Sequence, residues 1–404
     1  MNIAEKKEKQ KIDPFLMVLF LASATIVWCL LNRISSLASA AFTGSFVLLV
    51  VWFGKMVLVD GRNRFLAVVF VIVVTSTVCV IVSAMLAEEE MSMAYFTDHL
   101  VFLSTILFLF VIMNIDINPK TCYAILGINV VMAYMYPFAY RFLPQETKFQ
   151  DLYLNFSNPN LTGMWLLQAV LYASVAVLLL KPIWIRVLAA ISIPINIWLI
   201  TKTGARNCLV ALIVFGFLCG WAVVKQQPRY SKFWLLLINL LPIIFVPIYL
   251  TYVEVVIDRG WLDFLAGEGK NLDSRVWIWR DRFESLENLW VIGNYVEKSG
   301  NSHNSHLVLL VSYGVFGLVL GTYFLYSVCA EANQNIRSRK NMYALTAFFA
   351  VIFMGLGEGA LFAGGVGIFI PACGFLLLAK CDFGEDKPVV LPWSKKVMTN
   401  PHGH

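Results

Sequence analysis

Asn301-Ser-His-Asn-Ser-His-Leu-Val-Leu-Leu-Val-Ser-Tyr-Gly-Val-Phe-Gly317 begins polar, carries two of the chain's five histidines, and passes without a break into an apolar run. Such a junction marks the point where an aqueous loop enters a hydrocarbon-crossing helix. An imidazole there can exchange protons with water while a lipid-borne molecule approaches from the other side. The plainer alternative is that these polar groups only cap the start of the helix.

Outward from this junction, the whole chain repeats the apolar half of the pattern. Of 404 residues, 59% are hydrophobic and 14% charged, with a mean hydropathy of +0.73. A soluble domain does not have that composition. Apolar runs of roughly 18–23 residues recur from end to end, each long enough for a hydrocarbon core of about 30 Å. The pattern predicts an all-α polytopic membrane protein of about twelve transmembrane helices. The first nine spans fall within 14–252 and the last three within 306–380. Only Gly355-Leu-Gly-Glu-Gly359 separates the final pair.

Lys/Arg placement predicts the orientation. With residues 1–13 on the cytoplasmic side, about 19 Lys and Arg fall inside and about 11 outside, and both termini (1–13 and 381–404) share the inner face. Met1 to Asp13 leads into a full-length span without a small-residue cleavage site, which favours a retained first helix over a removed signal peptide. The eight cysteines lie in or beside apolar runs with no CxxC spacing, so they read as small core residues. No glycine-rich phosphate loop and no acidic pair with metal-ligand spacing is present in the sequence, and neither metal nor cofactor is expected.

Three outer segments stand out: Asn155-Phe-Ser-Asn-Pro-Asn-Leu-Thr-Gly163, Thr201-Lys-Thr-Gly-Ala-Arg-Asn207, and a long loop over 253–305. Asn or Ser before a span suits a helix cap. Within the loop, Asp273 to Trp290 reads as an amphipathic helix with Asp273 as N-cap and Val276, Trp279, Phe283, Leu286 and Trp290 as its apolar stripe. Arg275 and Arg282 are two turns apart and share a side of it. Such a helix would lie on the outer membrane surface or the bundle, holding guanidinium groups at headgroup depth. Alternatively, its arginines only pair with Asp281, Glu284 and Glu287 on a solvated helix.

Arg206, Arg275, Arg280, Arg282, His303 and His306 therefore gather on the outer side. Arginine suits bidentate capture of phosphate oxygens, and histidine suits proton transfer with a hydroxyl. Arg206 could instead simply anchor a helix end to headgroups. Glu358, between the last two spans, reads either as a buried carboxylate or as an exposed hairpin charge.

The chain resembles the O-antigen polymerase/ligase superfamily of membrane glycosyltransferases. Thr201-Lys-Thr-Gly-Ala-Arg206 is similar to the family's Thr/Ser-x-Ser/Thr…Arg turn. Asp273-Ser-Arg275, with Leu289-Trp-Val-Ile-Gly293 beyond it, resembles the Arg-containing segment of the large external loop. His303-Asn304 with Gly314 and Gly317 resembles the His-Asn…Gly-x-x-Gly signature, and Asn158-Pro-Asn-x-Thr-Gly163 resembles surface-polysaccharide polymerases. The resemblance implies a GT-C-like helical architecture in the cytoplasmic membrane with its site facing outward. It implies a glycan donor on undecaprenyl diphosphate, a sugar-hydroxyl acceptor, and partners such as a flippase and a chain-length regulator. His303 would be the general base, and Arg206 and Arg275 would hold the diphosphate. Asn304 and His306 join the substrate-binding set as members of or neighbours to the signature; Arg280 and Arg282 join it on helix geometry alone. Polymerase is preferred to ligase, and a flippase or other transporter is the alternative from a different class.

Overall fold

A computed structural model describes residues 12–86, 93–143, 147–148, 151–156, 158–225, 229–257, 274–296, 302–359, 361–362 and 366–383. The order is α1 (Pro14–Leu31), α2 (Ser35–Gly54, continued by a π-helical turn to Val59), α3 (Leu66–Leu86), α4 (Met93–Asn114) and α5 (Pro119–Phe142). A two-residue hairpin follows, Thr147–Lys148 against Asp151–Leu152. Then come α6 (Pro159–Leu179), α7 (Ile183–Thr203), α8 (Arg206–Lys225), α9 (Lys232–Ile257), α10 (Ser274–Glu284), α11 (Ser305–Gln334), α12 (Arg339–Met354) and α13 (Val366–Lys380).

Ten of the described helices are long and apolar enough to cross a membrane. The protein is a polytopic helical membrane protein. The last two of the twelve expected spans differ from the rest. α12 and α13 have 16 and 15 residues, and their described side chains are buried almost throughout. Surrounded by other helices, they form the core with α6. The peripheral helices turn bare apolar side chains outward, as Val51 on α2, Phe70 on α3, Trp184 on α7 and Phe217 on α8 do. That inversion is expected of a bundle whose solvent is hydrocarbon.

Polar caps start the spans where the sequence puts them. Asp13 accepts from the Leu16 amide at 3.0 Å, and Asn118 from the Thr121 amide at 3.0 Å. Asn158 accepts from the Asn160 amide at 2.8 Å. In each case the following Pro fills the first helical position, where a missing N–H costs nothing. α9 runs on to Ile257, past the boundary expected near 252, and α13 starts at Val366 instead of near 361.

α11 is broken. Gly314 has φ 65° and ψ −166°, so its turn cannot continue the helix. The backbone groups left over at the break are taken by the segment around 290–294 that precedes α11. The Asn294 amide donates to the Val311 carbonyl at 2.7 Å, and the Val315 amide donates to the Trp290 carbonyl at 2.8 Å. Without those bonds, both groups would be stranded in an apolar interior at a cost of several kcal/mol each. A Cβ on Gly314 would lie 2.1 Å from the Val291 carbonyl oxygen, so glycine is needed both for its dihedral angles and for this approach.

Candidate functional site

The site grows from how α12 ends. The turn that follows Met354 carries four successive carbonyls, from Gly355 to Glu358, that face the start of α11 and the loop helix. The Ser305 amide donates to Gly355 O at 3.0 Å, and Asn304 Nδ2 donates to Leu356 O at 3.1 Å. Arg275 Nη1 donates to Gly357 O, and Ser305 Oγ donates to Glu358 O at 3.0 Å. His-Asn-Ser is thus the complement of Gly-Leu-Gly-Glu. Asn304 also caps α11, its Oδ1 accepting from the His306 and Leu307 amides at 3.0 and 2.9 Å, while Nδ2 reaches Pro242 O at 2.8 Å.

This frame holds a three-residue cluster. The Glu358 side chain is 2% exposed. One carboxylate oxygen accepts from Arg275 Nη2 at 2.9 Å, and the other faces His303 Nδ1 at 3.2 Å. Arg275 and His303 remain about one-fifth exposed, so the cluster opens to the loop side through them and not through the carboxylate. His303 is held in the left-handed region at φ 49°, uncommon for a residue other than glycine. Its carbonyl accepts from Arg275 Nη1 at 3.4 Å, and the preceding Ser302 carbonyl accepts from Trp279 Nε1 at 2.8 Å. A strained residue pinned from both sides keeps its ring in one place.

α10 supplies these pins. Its stripe is buried at Val276 and Trp279, with Trp279 against Phe245 and Tyr249 of α9. The helix stops at Glu284 instead of reaching Trp290. The chain then turns, with Asn288 at φ 66°, and Trp290 is 43% exposed. The expected cap Asp273 lies outside the described residues. α10 therefore docks on the bundle, and the segment that follows it seals the break at Gly314 through Trp290 and Asn294.

The other expected residues fall as follows. Arg206 opens α8, just past Gly204, whose left-handed φ of 65° ends α7. Its side chain is exposed. Its neighbour Asn207 touches the cluster's backbone: a Cβ on Gly357 would lie 2.2 Å from Asn207 Nδ2. The Asn-Pro-Asn-Leu-Thr-Gly163 turn joins them, since a Cβ on Gly163 would lie 2.4 Å from Ala205 Cβ. Arg280 is half-buried, and Arg282 lies 3.6 Å from Asp281 on its own helix. Neither is bonded to Glu358. His306 is fully buried, edge-on to Phe362 at 6.0 Å, beneath the cluster and not on its open side.

Two features go beyond the sequence reading: the burial and partners of Glu358, which the sequence left open between a buried and an exposed carboxylate, and a further histidine. Glu358 joins Arg275 to His303; the only signal was one carboxylate in a five-residue link between apolar runs. Deeper, His99 on α4 sits between Tyr313 Oη at 3.3 Å and Thr77 Oγ1 at 3.2 Å. Phe102 stacks on it and Tyr295 meets it edge-on. Nothing in the sequence near His99 marks it, because its partners come from α3, α11 and the loop.

Chemically, a histidine whose Nδ1 faces a carboxylate presents Nε2 as the working nitrogen, and the carboxylate stabilises the imidazolium when Nε2 takes a proton. Beside it stands a guanidinium already fixed in orientation, and the exposed Arg206 adjoins Asn207, which touches the backbone at Gly357. Compared with known proteins, the chain matches no family model and no curated protein sequence.

Proposed function

We propose that this protein is a membrane glycosyltransferase that moves a glycan from a polyprenyl diphosphate, of the undecaprenyl type, to a sugar hydroxyl at the outer membrane face. The Glu358–His303 contact beside Arg275 carries this reading. Proton abstraction from a hydroxyl and charge stabilisation on a leaving group are then available within one cluster. The acceptor oxygen bonds to the anomeric carbon as the carbon–oxygen bond to the diphosphate breaks. The hydroxyl proton passes to His303 Nε2, and the diphosphate leaves with the bond pair. Arg206, exposed, and the remaining N–H groups of Arg275 meet the growing negative charge. Losing one such contact typically costs a hundredfold or more in rate. Asn304 acts by building the frame. A GT-C-like arrangement and joining of repeat units by a polymerase remain parts of the proposal, with ligase the alternative outcome.

The test uses purified protein, a synthetic polyprenyl-diphosphate oligosaccharide and an acceptor glycan. His303→Ala is expected to lower turnover by at least a hundredfold while the protein stays folded, and Arg206→Ala by a comparable factor. Lengthened lipid-linked chains indicate polymerase, and transfer to a different acceptor indicates ligase. The broken α11 favours a second reading, since transporters build substrate sites on discontinuous helices. Movement of the lipid-linked glycan across liposomes that survives His303→Ala would replace the enzyme reading with that one.

A further inference from the structure

We propose that Asn207 is a specificity-determining contact, its amide hydrogen-bonding a hydroxyl of the sugar that the diphosphate carries. The inference rests on the transferase reading and adds a residue to it.

Asn207 follows Arg206 in the first turn of α8, and its whole amide lies against Gly357. A Cβ on Gly357 would be 2.2 Å from Nδ2, 2.8 Å from Cγ and 3.1 Å from Oδ1. Only glycine admits so close an approach. The Gly357 carbonyl accepts from Arg275 Nη1, and the next side chain is the Glu358 carboxylate that faces Arg275 and His303. The amide is therefore held one residue from the centre of the cluster.

Buried asparagines elsewhere spend their N–H groups on backbone carbonyls. Asn129 donates to Ile125 O at 2.9 Å, Asn196 to Ala133 O at 2.9 Å, and Asn341 to Cys381 O at 2.6 Å. Asn207, half-buried, makes no side-chain hydrogen bond among the described residues. An uncharged amide with donors and an acceptor matches a sugar hydroxyl, which also does both. Position says which sugar. With the diphosphate at Arg206 and Arg275 and the acceptor hydroxyl at His303, the donor's first sugar lies between them. Asn207 borders that interval, next to Arg206 in the chain and against the Glu358 turn in space.

The experiment measures kcat/KM of purified wild type and variants on the polyprenyl-diphosphate oligosaccharide and on its mono-deoxy analogues at the first sugar. In wild type, one analogue should fall at least tenfold below the parent. Asn207→Ala should lose a similar factor on the parent and less than twofold more on that analogue, because the contact is then missing from both. Arg206→Ala should lower parent and analogue alike and keep the wild-type ratio between them. Asn207→Asp keeps an acceptor and should fall between wild type and Asn207→Ala. Full activity of folded Asn207→Ala, no deoxy penalty in wild type, or a penalty that persists in Asn207→Ala would overturn the proposal. So would Asn207→Asp falling below Asn207→Ala, which would put the amide on a phosphate instead. No transfer by wild type would bring down the transferase reading and this contact together, whereas transfer indifferent to Asn207 would remove this contact alone.

Discussion

α11 ends in two different kinds of polar structure, and their contrast separates interactions that shape this protein from those that decorate it. At its start, Glu358 is buried and bonded to two partners that are themselves mostly covered. At its end, Arg64 is 57% exposed against Glu331, and Arg337 and Asp382 are both more than half exposed. Removing one member of a buried pair strands a charge, whereas exposed pairs are screened and contribute about 0–1 kcal/mol. The buried end is thus built at a cost in stability that function has to justify, and the open end carries no comparable cost.

The sharpest way to break this comparison is Glu358→Ala. It leaves Arg275 uncompensated against a buried wall, and a loss of about 3–5 kcal/mol is expected in denaturant unfolding, together with loss of the ordered α10. Equal stability in wild type and variant would show that the cluster is solvated after all. Next comes Gly314→Ala. The added Cβ meets the Val291 carbonyl at a backbone conformation alanine rarely adopts, so more than about 2 kcal/mol should be lost. Hydrogen exchange over 289–296 should rise selectively, because that segment closes the break. Asn304→Ala removes a cap and two carbonyl contacts and should cost about 1–2 kcal/mol in the same unfolding assay. Arg64→Ala should fall within about 1 kcal/mol of wild type. A larger cost there would erase the difference between the two ends.

The same contrast explains what was legible in the sequence. Spans such as α1 to α8 are read from apolar length alone, since a chain in hydrocarbon must satisfy its backbone within each helix. Caps at Asp13, Asn118 and Asn158 are equally local: residue i meets an amide two or three positions on. Arg275 and His303 are 28 residues apart and drew attention as residue types at a boundary. Their junction through Glu358 was not legible, because it spans 83 and 55 residues and forms only once the turn after α12 has packed against the start of α11. Arg282 illustrates the opposite case: helix geometry aligns it with Arg275, yet it pairs with Asp281 on its own helix and not with Glu358.

The amino-acid order alone determined that this is a many-helix membrane protein, with a charged and aromatic loop before Ser305, because length, apolarity and caps act within one turn or one span. Tertiary structure alone decided that Glu358 is buried between Arg275 and His303, that the loop repairs the break at Gly314, and that His306 lies beneath the site. Each of these depends on which carbonyls a distant segment leaves unpaired, and an unpaired buried carbonyl exerts its demand only after the helices have packed.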